Sequence, residues 1–360
     1  MFSINQLLRP HLQTLVPYSS ARDEYTGKEG IFLDANENPF GSVTEEAFNR
    51  YPDPYQHVIK EKLAPIKGVK ASQIFLGNGS DEPIDLLVRA FCEPQQDNII
   101  ILPPTYGMYE VSANINNVEI QKVPLTPDFQ LDAQSVLSAV NDKTKIIWIC
   151  SPNNPSGNLV DRNAICRIIE SVNCLVVVDE AYTDFAPSET FLPDLKKYPN
   201  LVVLQTFSKA WGLAALRLGM AFASEDIVKI LNKIKPPYNI NGLTQKVLMD
   251  ALDKEDKKNH YVQEILQNRE QLAQQLALLP IVVKVFPSDA NFLLVRFTDS
   301  VSVFNYLIHN KIILRDRSKV KWCDNAIRIT VGTVGENTAL LVLLQNYAAE
   351  LQEHIHHEKN

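Results

Sequence analysis

Apolar positions in the middle of the chain follow two alternating rhythms. Short, nearly continuous apolar runs rich in β-branched residues occupy 98–102, 118–123, 145–150, 174–179 and 201–206. Runs of that length predict strands buried on both faces. Helical spacing lies between several of them. After Gly79, residues Ile84, Leu87, Val88 and Phe91 share one face, with Ser80 as N-cap and Asp81 and Glu82 in the first turn. Residues 161–172 group Ile165, Ile168 and Ile169 in the same way. Strand–helix–strand alternation predicts a mostly parallel sheet covered by helices on both sides.

The rhythm changes after Pro236-Pro237. Helical stretches at 243–252 and 261–279 follow each other with no strand between them, then short strands are predicted at 281–286, 291–297, 312–315 and 326–331. A last helix carries Leu340, Leu344, Tyr347 and Leu351 on one face, opened by a capping box of Thr333 and Glu336. The expected organisation is an N-terminal arm over 1–30, a large α/β domain over 31–240, a smaller α+β domain over 241–352, and a tail over 353–360.

Composition narrows the function classes. The chain has 360 residues, 45% hydrophobic and 21% charged, and a net charge of −7. A mildly acidic chain lacks the basic footprint that phosphate contacts to nucleic acid demand, so no nucleic-acid partner is expected. Residues 1–20 hold no apolar run of signal-peptide length, and Pro10 and Pro17 interrupt them. No stretch approaches a membrane span. Five cysteines, an odd number without a CxxC pair, suit a reducing compartment, and a cytoplasmic location is expected. The histidine-bearing tail reads as a frayed end, so no metal site is expected.

Four motifs fall at, or just after, the carboxyl ends of predicted strands, where ligands of open α/β sheets bind. Gly77-Asn78-Gly79-Ser80-Asp81 opens a helix and offers an anion site, although such turns are also commonly structural. Ser151-Pro152-Asn153-Asn154-Pro155-Ser156-Gly157 reads equally as a tight turn or as a loop whose Asn154 amide meets a phenolate oxygen. In Val178-Asp179-Glu180-Ala181-Tyr182 an apolar strand ends in acid. A carboxylate there needs a partner, either the next turn or a protonated heteroaromatic nitrogen. Lys209, in Thr206-Phe207-Ser208-Lys209-Ala210-Trp211-Gly212, follows a buried strand, and desolvation would turn its ammonium into an amine nucleophile. Ser208 and Arg217 could bond a phosphate.

Taken in order, NGSDE, SPNNPSG, VVVDEAY, TFSKAWGLAALRLG and IRITVGT resemble the fold-type I aminotransferases that depend on pyridoxal 5'-phosphate (PLP), and more closely the histidinol-phosphate aminotransferase family. The likeness runs from Pro17-Tyr18 to the last helix. It implies the PLP-dependent transferase fold type I and ping-pong transamination of L-histidinol phosphate with 2-oxoglutarate in histidine biosynthesis. By the same resemblance Lys209 carries the cofactor as a Schiff base and moves the substrate proton. Asp179 holds the pyridine nitrogen, Asn154 and Tyr182 meet the ring oxygen, and Tyr106 stacks on the ring. Gly79, Ser80, Asp81, Thr206, Ser208 and Arg217 would bind the cofactor, most of them at its phosphate. Tyr51 would reach that phosphate from the neighbouring subunit, implying an obligate homodimer with a shared active site. Arg328 and Arg315 would hold the substrate's phosphate or carboxylate, with Arg317 close enough to be the true partner, and Tyr18 and Asn36 would line the substrate pocket. An aromatic amino-acid aminotransferase and a threonine-phosphate decarboxylase share most of these motifs. A PLP-binding regulatory module is not expected, because the motifs leave no segment ahead of them for a DNA-binding domain.

Overall fold

A computed structural model describes residues 3–18 and 30–358, with side chains up to Glu353. Part of the arm expected over 1–30 and the last residues of the expected tail therefore lie outside the described residues. Two short helices, α1 (Ile4–Leu7) and α2 (Pro10–Gln13), come first. Leu8 and Leu12 are buried here, and Arg9 pairs with Glu93, so this part of the arm is fastened to the body.

Helix α3 (His57–Lys67) leads into β1 (Ile74–Asn78), α4 (Asp81–Phe91), β2 (Asn98–Ile101), α5 (Met108–Ile115), β3 (Glu119–Lys122) and α6 (Ala133–Ala139). Next come β4 (Thr144–Cys150), α7 (Arg162–Ser171), β5 (Leu175–Asp179), β6 (Leu201–Thr206), β7 (Leu218–Phe222) and α8 (Glu225–Ile234). The seven strands form one sheet in the order β1-β7-β6-β5-β4-β2-β3. Pairing is parallel from β6 through β3, and β7 runs antiparallel to both of its neighbours. Each predicted run of the middle region became one of the parallel strands.

Successive residues of these strands feed opposite cores, as two-residue periodicity requires. Ile147, Ile149, Val176, Val178 and Val203 pack with Leu63 of α3, Val136 of α6 and Ile165 and Ile168 of α7. Ile146, Trp148, Val177, Val202 and Leu204 pack with Ile84 and Leu87 of α4, Tyr109 of α5 and Ile227 and Leu231 of α8. Asp161 caps α7, whereas Ser80, expected as a cap, begins α4 without using its side chain as one.

Helices α9 (Gly242–Leu252) and α10 (Glu255–Ala277) follow. Although α9 was expected to open the second domain, its Leu248 and Leu252 enter the core of the large sheet. The smaller body is an antiparallel sheet, β10-β11-β9-β8, made of β8 (Val282–Val285), β9 (Phe292–Phe297), β10 (Arg315–Asp316) and β11 (Ala326–Thr330). It is covered by the end of α10, by α11 (Ser300–His309), which was not predicted, and by α12 (Val334–Glu358). The Thr333–Glu336 capping box forms, and α12 continues through most of the stretch expected as a tail.

Candidate active site

Strands β4, β5 and β6 are neighbours, with Cys150 opposite Asp179 and Asp179 opposite Leu204. The loops after these strands therefore open at one place, and that register brings Asn154, Asp179 and Lys209 together. One cavity is lined by Gly79, Ser80, Asp81, Tyr106, Asn154, Asp179, Tyr182, Thr206, Ser208, Lys209 and Arg217, with Cys150 and Ala181 in addition. Every position predicted to bind cofactor within a single chain is thus on its wall.

Asp179, the last residue of β5, is buried, and it accepts from the Tyr109 hydroxyl at 2.5 Å and from the Ala181 N–H at 3.1 Å. Burial lifts its carboxyl to about 6, against the pull of those two bonds. Lys209 opens at the cavity mouth, its Nζ 5.6 Å from the centre of the Tyr182 ring. Desolvation and the nearby Arg328 guanidinium hold its ammonium below the usual lysine range. Tyr182 is buried edge-on against Phe292, and burial raises its phenol. Asn154 is buried and accepts from Arg328 Nη1 at 2.6 Å. With Oδ1 engaged, the amide N–H₂ of Asn154 is left for the cavity, where it meets no acceptor among the described residues.

The anion cradle lies where β1 turns into α4. Gly79 has φ +70°, and its N–H donates to the Arg217 carbonyl at 2.9 Å, so Gly79 contributes shape rather than a free donor. The N–H groups left for an anion are those of Ser80, Asp81 and Glu82, which have no backbone acceptor among the described residues, whereas Pro83 has no N–H and Ile84 donates back to the Ser80 carbonyl. A Cβ on Gly219 of β7 would stand 2.2 Å from the Ser80 nitrogen, so only glycine lets that strand pass beneath the cradle. Arg217 adopts φ +50°, and its guanidinium reaches Ser208 Oγ at 3.5 Å and Asp81 Oδ2 at 3.6 Å. Asp81 also accepts from the Tyr106 hydroxyl at 3.0 Å, so its carboxylate orients two other site residues.

On the small body's sheet, Arg315 of β10 stands opposite Arg328 of β11. Arg317 continues the ladder, donating its N–H to the Ala326 carbonyl, so its side chain shares their face. Arg315 is exposed, whereas Arg317 Nε is buried without a hydrogen-bond partner. Among the described residues no carboxylate forms an ion pair with any of the three. Burial and mutual repulsion depress both Arg317 and Arg328, and the charge of Arg317 is felt at the Tyr182 phenol.

Three expected positions lie elsewhere. Tyr18 is exposed in an open groove of about 840 Å³ with Leu12, Tyr55 and Lys233. Asn36 and Tyr51 line another groove, of about 880 Å³, with Tyr238 and Lys246, and Tyr51 stacks on Tyr238 at 4.5 Å. Within one chain, then, neither Tyr18 nor Asn36 reaches the cavity. Their segments run over the surface, with Val16, Ile31, Leu33 and Phe40 exposed. Reading the sequence also missed Tyr109, fully buried and stacked on Trp148 at 4.9 Å. A buried tyrosine needs a hydroxyl partner, but spacing alone does not say which.

Comparison with known proteins agrees with this geometry. The family model for aminotransferase class I and II matches residues 29–344. A histidinol-phosphate aminotransferase of Cytophaga hutchinsonii is 57% identical over 346 residues, which is 96% of this chain and 99% of that protein. The Bacteroides thetaiotaomicron protein of the same name is 50% identical over 348 residues, covering 96% of this chain and 99% of its own. Among solved structures, histidinol-phosphate aminotransferase from Sinorhizobium meliloti in complex with pyridoxal-5'-phosphate superposes with a TM-score of 0.78. That match covers 98% of this chain and 99% of the other, at 22% identity, and so speaks for the fold alone. Matched along nearly its whole length, the chain belongs to the class I and II aminotransferases, within the histidinol-phosphate aminotransferase family.

Proposed function

We propose that this chain catalyses PLP-dependent transamination of L-histidinol phosphate with 2-oxoglutarate, giving imidazole acetol phosphate and glutamate, a step of histidine biosynthesis. The observation that carries the reading is the convergence of Lys209, Asp179 and the Ser80–Arg217 anion cradle on one cavity, with three guanidiniums on the neighbouring sheet that pair with no carboxylate among the described residues.

The residues present suit PLP. A buried carboxylate, an amine, an anion cradle and the free Asn154 amide correspond to its ring nitrogen, carbonyl carbon, phosphate and ring oxygen. When bound, the cofactor draws electrons from the substrate's amine-bearing carbon as that carbon loses its proton. Lys209 Nζ is the base that takes this proton, because its lowered pKa increases the free amine near neutral pH. Asp179 keeps a proton on the ring nitrogen by offering it a negative acceptor. Asn154 and Tyr182 orient the ring oxygen, and Tyr106 covers the ring. Ser80 N–H, Ser208, Thr206 and Arg217 hold the phosphate.

Arg328 receives the α-carboxylate of glutamate in one half-reaction and the phosphate of histidinol phosphate in the other. Arg315 and Arg317 add positive charge on the same face, which suits a phosphate monoester better than a single carboxylate. This favours a phosphorylated amine over phenylalanine or tyrosine. The identity to proteins named histidinol-phosphate aminotransferase favours transamination over decarboxylation of threonine phosphate.

The working form is a homodimer in which Tyr51 reaches the partner's phosphate cradle. Supporting this, Tyr51 lies away from its own cavity, in a groove it shares with the exposed Phe48 and Leu243. The enzyme works in the cytoplasm. Its five cysteines are free, and no described helix is long and apolar enough to cross a membrane.

The test is steady-state turnover of the holoenzyme. L-histidinol phosphate and 2-oxoglutarate are expected to yield glutamate. Arg317→Gln is expected to raise KM for histidinol phosphate about tenfold or more while sparing KM for glutamate, since a hydrogen bond to a charged group contributes about 1.5–3 kcal/mol. No glutamate from the wild-type enzyme would refute the function, and equal losses for both substrates would remove Arg317 from the phosphate site.

A further inference from the structure

We infer that Tyr109 is a positioning residue that keeps the proton on the cofactor's ring nitrogen by fixing Asp179 and holding it anionic. The inference rests on the PLP reading of the site. Tyr109 lies in the first turn of α5, is 0% exposed, and stacks on Trp148 with 10° between the ring planes. Tyr106 meets it edge-on at 5.7 Å, so the ring expected to stack on the cofactor and the donor to Asp179 share one aromatic cluster. From this clamped position the hydroxyl donates to Asp179 Oδ2 at 2.5 Å. On the other oxygen the Ala181 N–H donates at 3.1 Å. Asp179 therefore has one donor on each oxygen, and its carboxylate plane is set before any cofactor arrives.

The consequence follows from the competition between two bases. A ring nitrogen facing a carboxylate shares one proton with it, and the proton rests on the stronger base. Burial in the apolar floor of the cavity makes Asp179 more basic than a solvated carboxylate, which would pull the proton off the ring. A donor that bonds the anion works against this, and a phenol in a dry site does so strongly. Among the described residues Tyr109 bonds no other acceptor of comparable strength, its other polar contact being the Cys150 thiol. Loss of its hydroxyl would leave Asp179 more basic and free to turn about its side-chain torsion. The proton would move from the ring nitrogen to the carboxyl oxygen, with the total charge of the pair unchanged.

Tyr109→Phe keeps the ring and its stack and removes only the donor. With PLP labelled by ¹⁵N at the ring nitrogen, the wild-type holoenzyme is expected to show the protonated signal. Tyr109→Phe is expected to move it toward the unprotonated position and to raise the cofactor Kd about tenfold, the effect of one charge-assisted bond. Trp148→Phe, which thins the stack and leaves the hydroxyl, controls for packing: it should lower the melting temperature with little change in the nitrogen signal. The assignment is overturned if Tyr109→Phe lowers only the melting temperature, or if Trp148→Phe shifts the nitrogen as far as Tyr109→Phe does. A wild-type chain that forms no PLP complex would instead undo the cofactor reading on which the inference rests.

Discussion

At Asp179 burial and hydrogen bonding pull in opposite directions, and burial wins, leaving the carboxyl at about 6. The unfolded chain ionises this group nearer 3.9. The folded state therefore binds its proton more tightly, and the group's contribution to stability falls as pH rises from about 4 to about 6. Above that window the penalty is complete, on the order of 3 kcal/mol for a rise from about 3.9 to about 6. In the cofactor-free protein, Asp179→Asn should melt higher than wild type at pH 8 and at the same temperature near pH 4. A difference that does not depend on pH would refute the assignment. Asp179 was readable from sequence because an apolar strand ending in acid is conspicuous. Tyr109 was not, since its role depends on a fold that brings residues seventy apart into contact. Arg317 was noticed beside Arg315, but only the ladder to Ala326 shows that all three arginines share a face.

Among the elements, the five parallel strands stood out as short apolar runs, and α4 and α7 followed from 3.6-residue spacing. The edge strand β3, however, is exposed or half-buried rather than buried on both faces, because only β2 flanks it. Strands β1 and β7 did not stand out. Each is short and carries a glycine, Gly77 or Gly219, which lowers strand propensity. Those glycines face each other across the ladder because the cradle requires close backbone approach. Gly219→Ala places a methyl group 2.2 Å from the Ser80 nitrogen and forces the cradle to move. Overpacking of this kind costs about 1–3 kcal/mol, so PLP affinity measured by absorbance titration should fall by about fivefold or more. Unchanged affinity would mean that the phosphate sits elsewhere. Helix α9 shows a different limit. Its periodicity announced a helix but could not say which body would take Leu248 and Leu252.

For the whole molecule, one chain leaves parts of the proposed site apart. Tyr51 lies in a groove of its own, and Phe40 at 98% and Val43 at 105% exposure have apolar surface that a lone monomer would leave in water. The proposed second copy would account for both, and only the family resemblance, not residue pattern, pointed to the copy that Tyr51 serves. Co-expressing Lys209→Ala with Tyr51→Ala separates the two arrangements. If Tyr51 acts across the dimer, each mixed dimer holds one fully wild-type site, and activity should return to roughly half per mixed dimer. If it acts within its own chain, every site carries a lesion and mixing restores nothing.

The most direct measurement follows bound PLP by absorbance through a single half-reaction, offering histidinol phosphate, phenylalanine and threonine phosphate separately at one low concentration. Rapid conversion to pyridoxamine phosphate with histidinol phosphate, reversed by 2-oxoglutarate, is the expected result. A faster response to phenylalanine, or carbon dioxide released from threonine phosphate, would contradict the account.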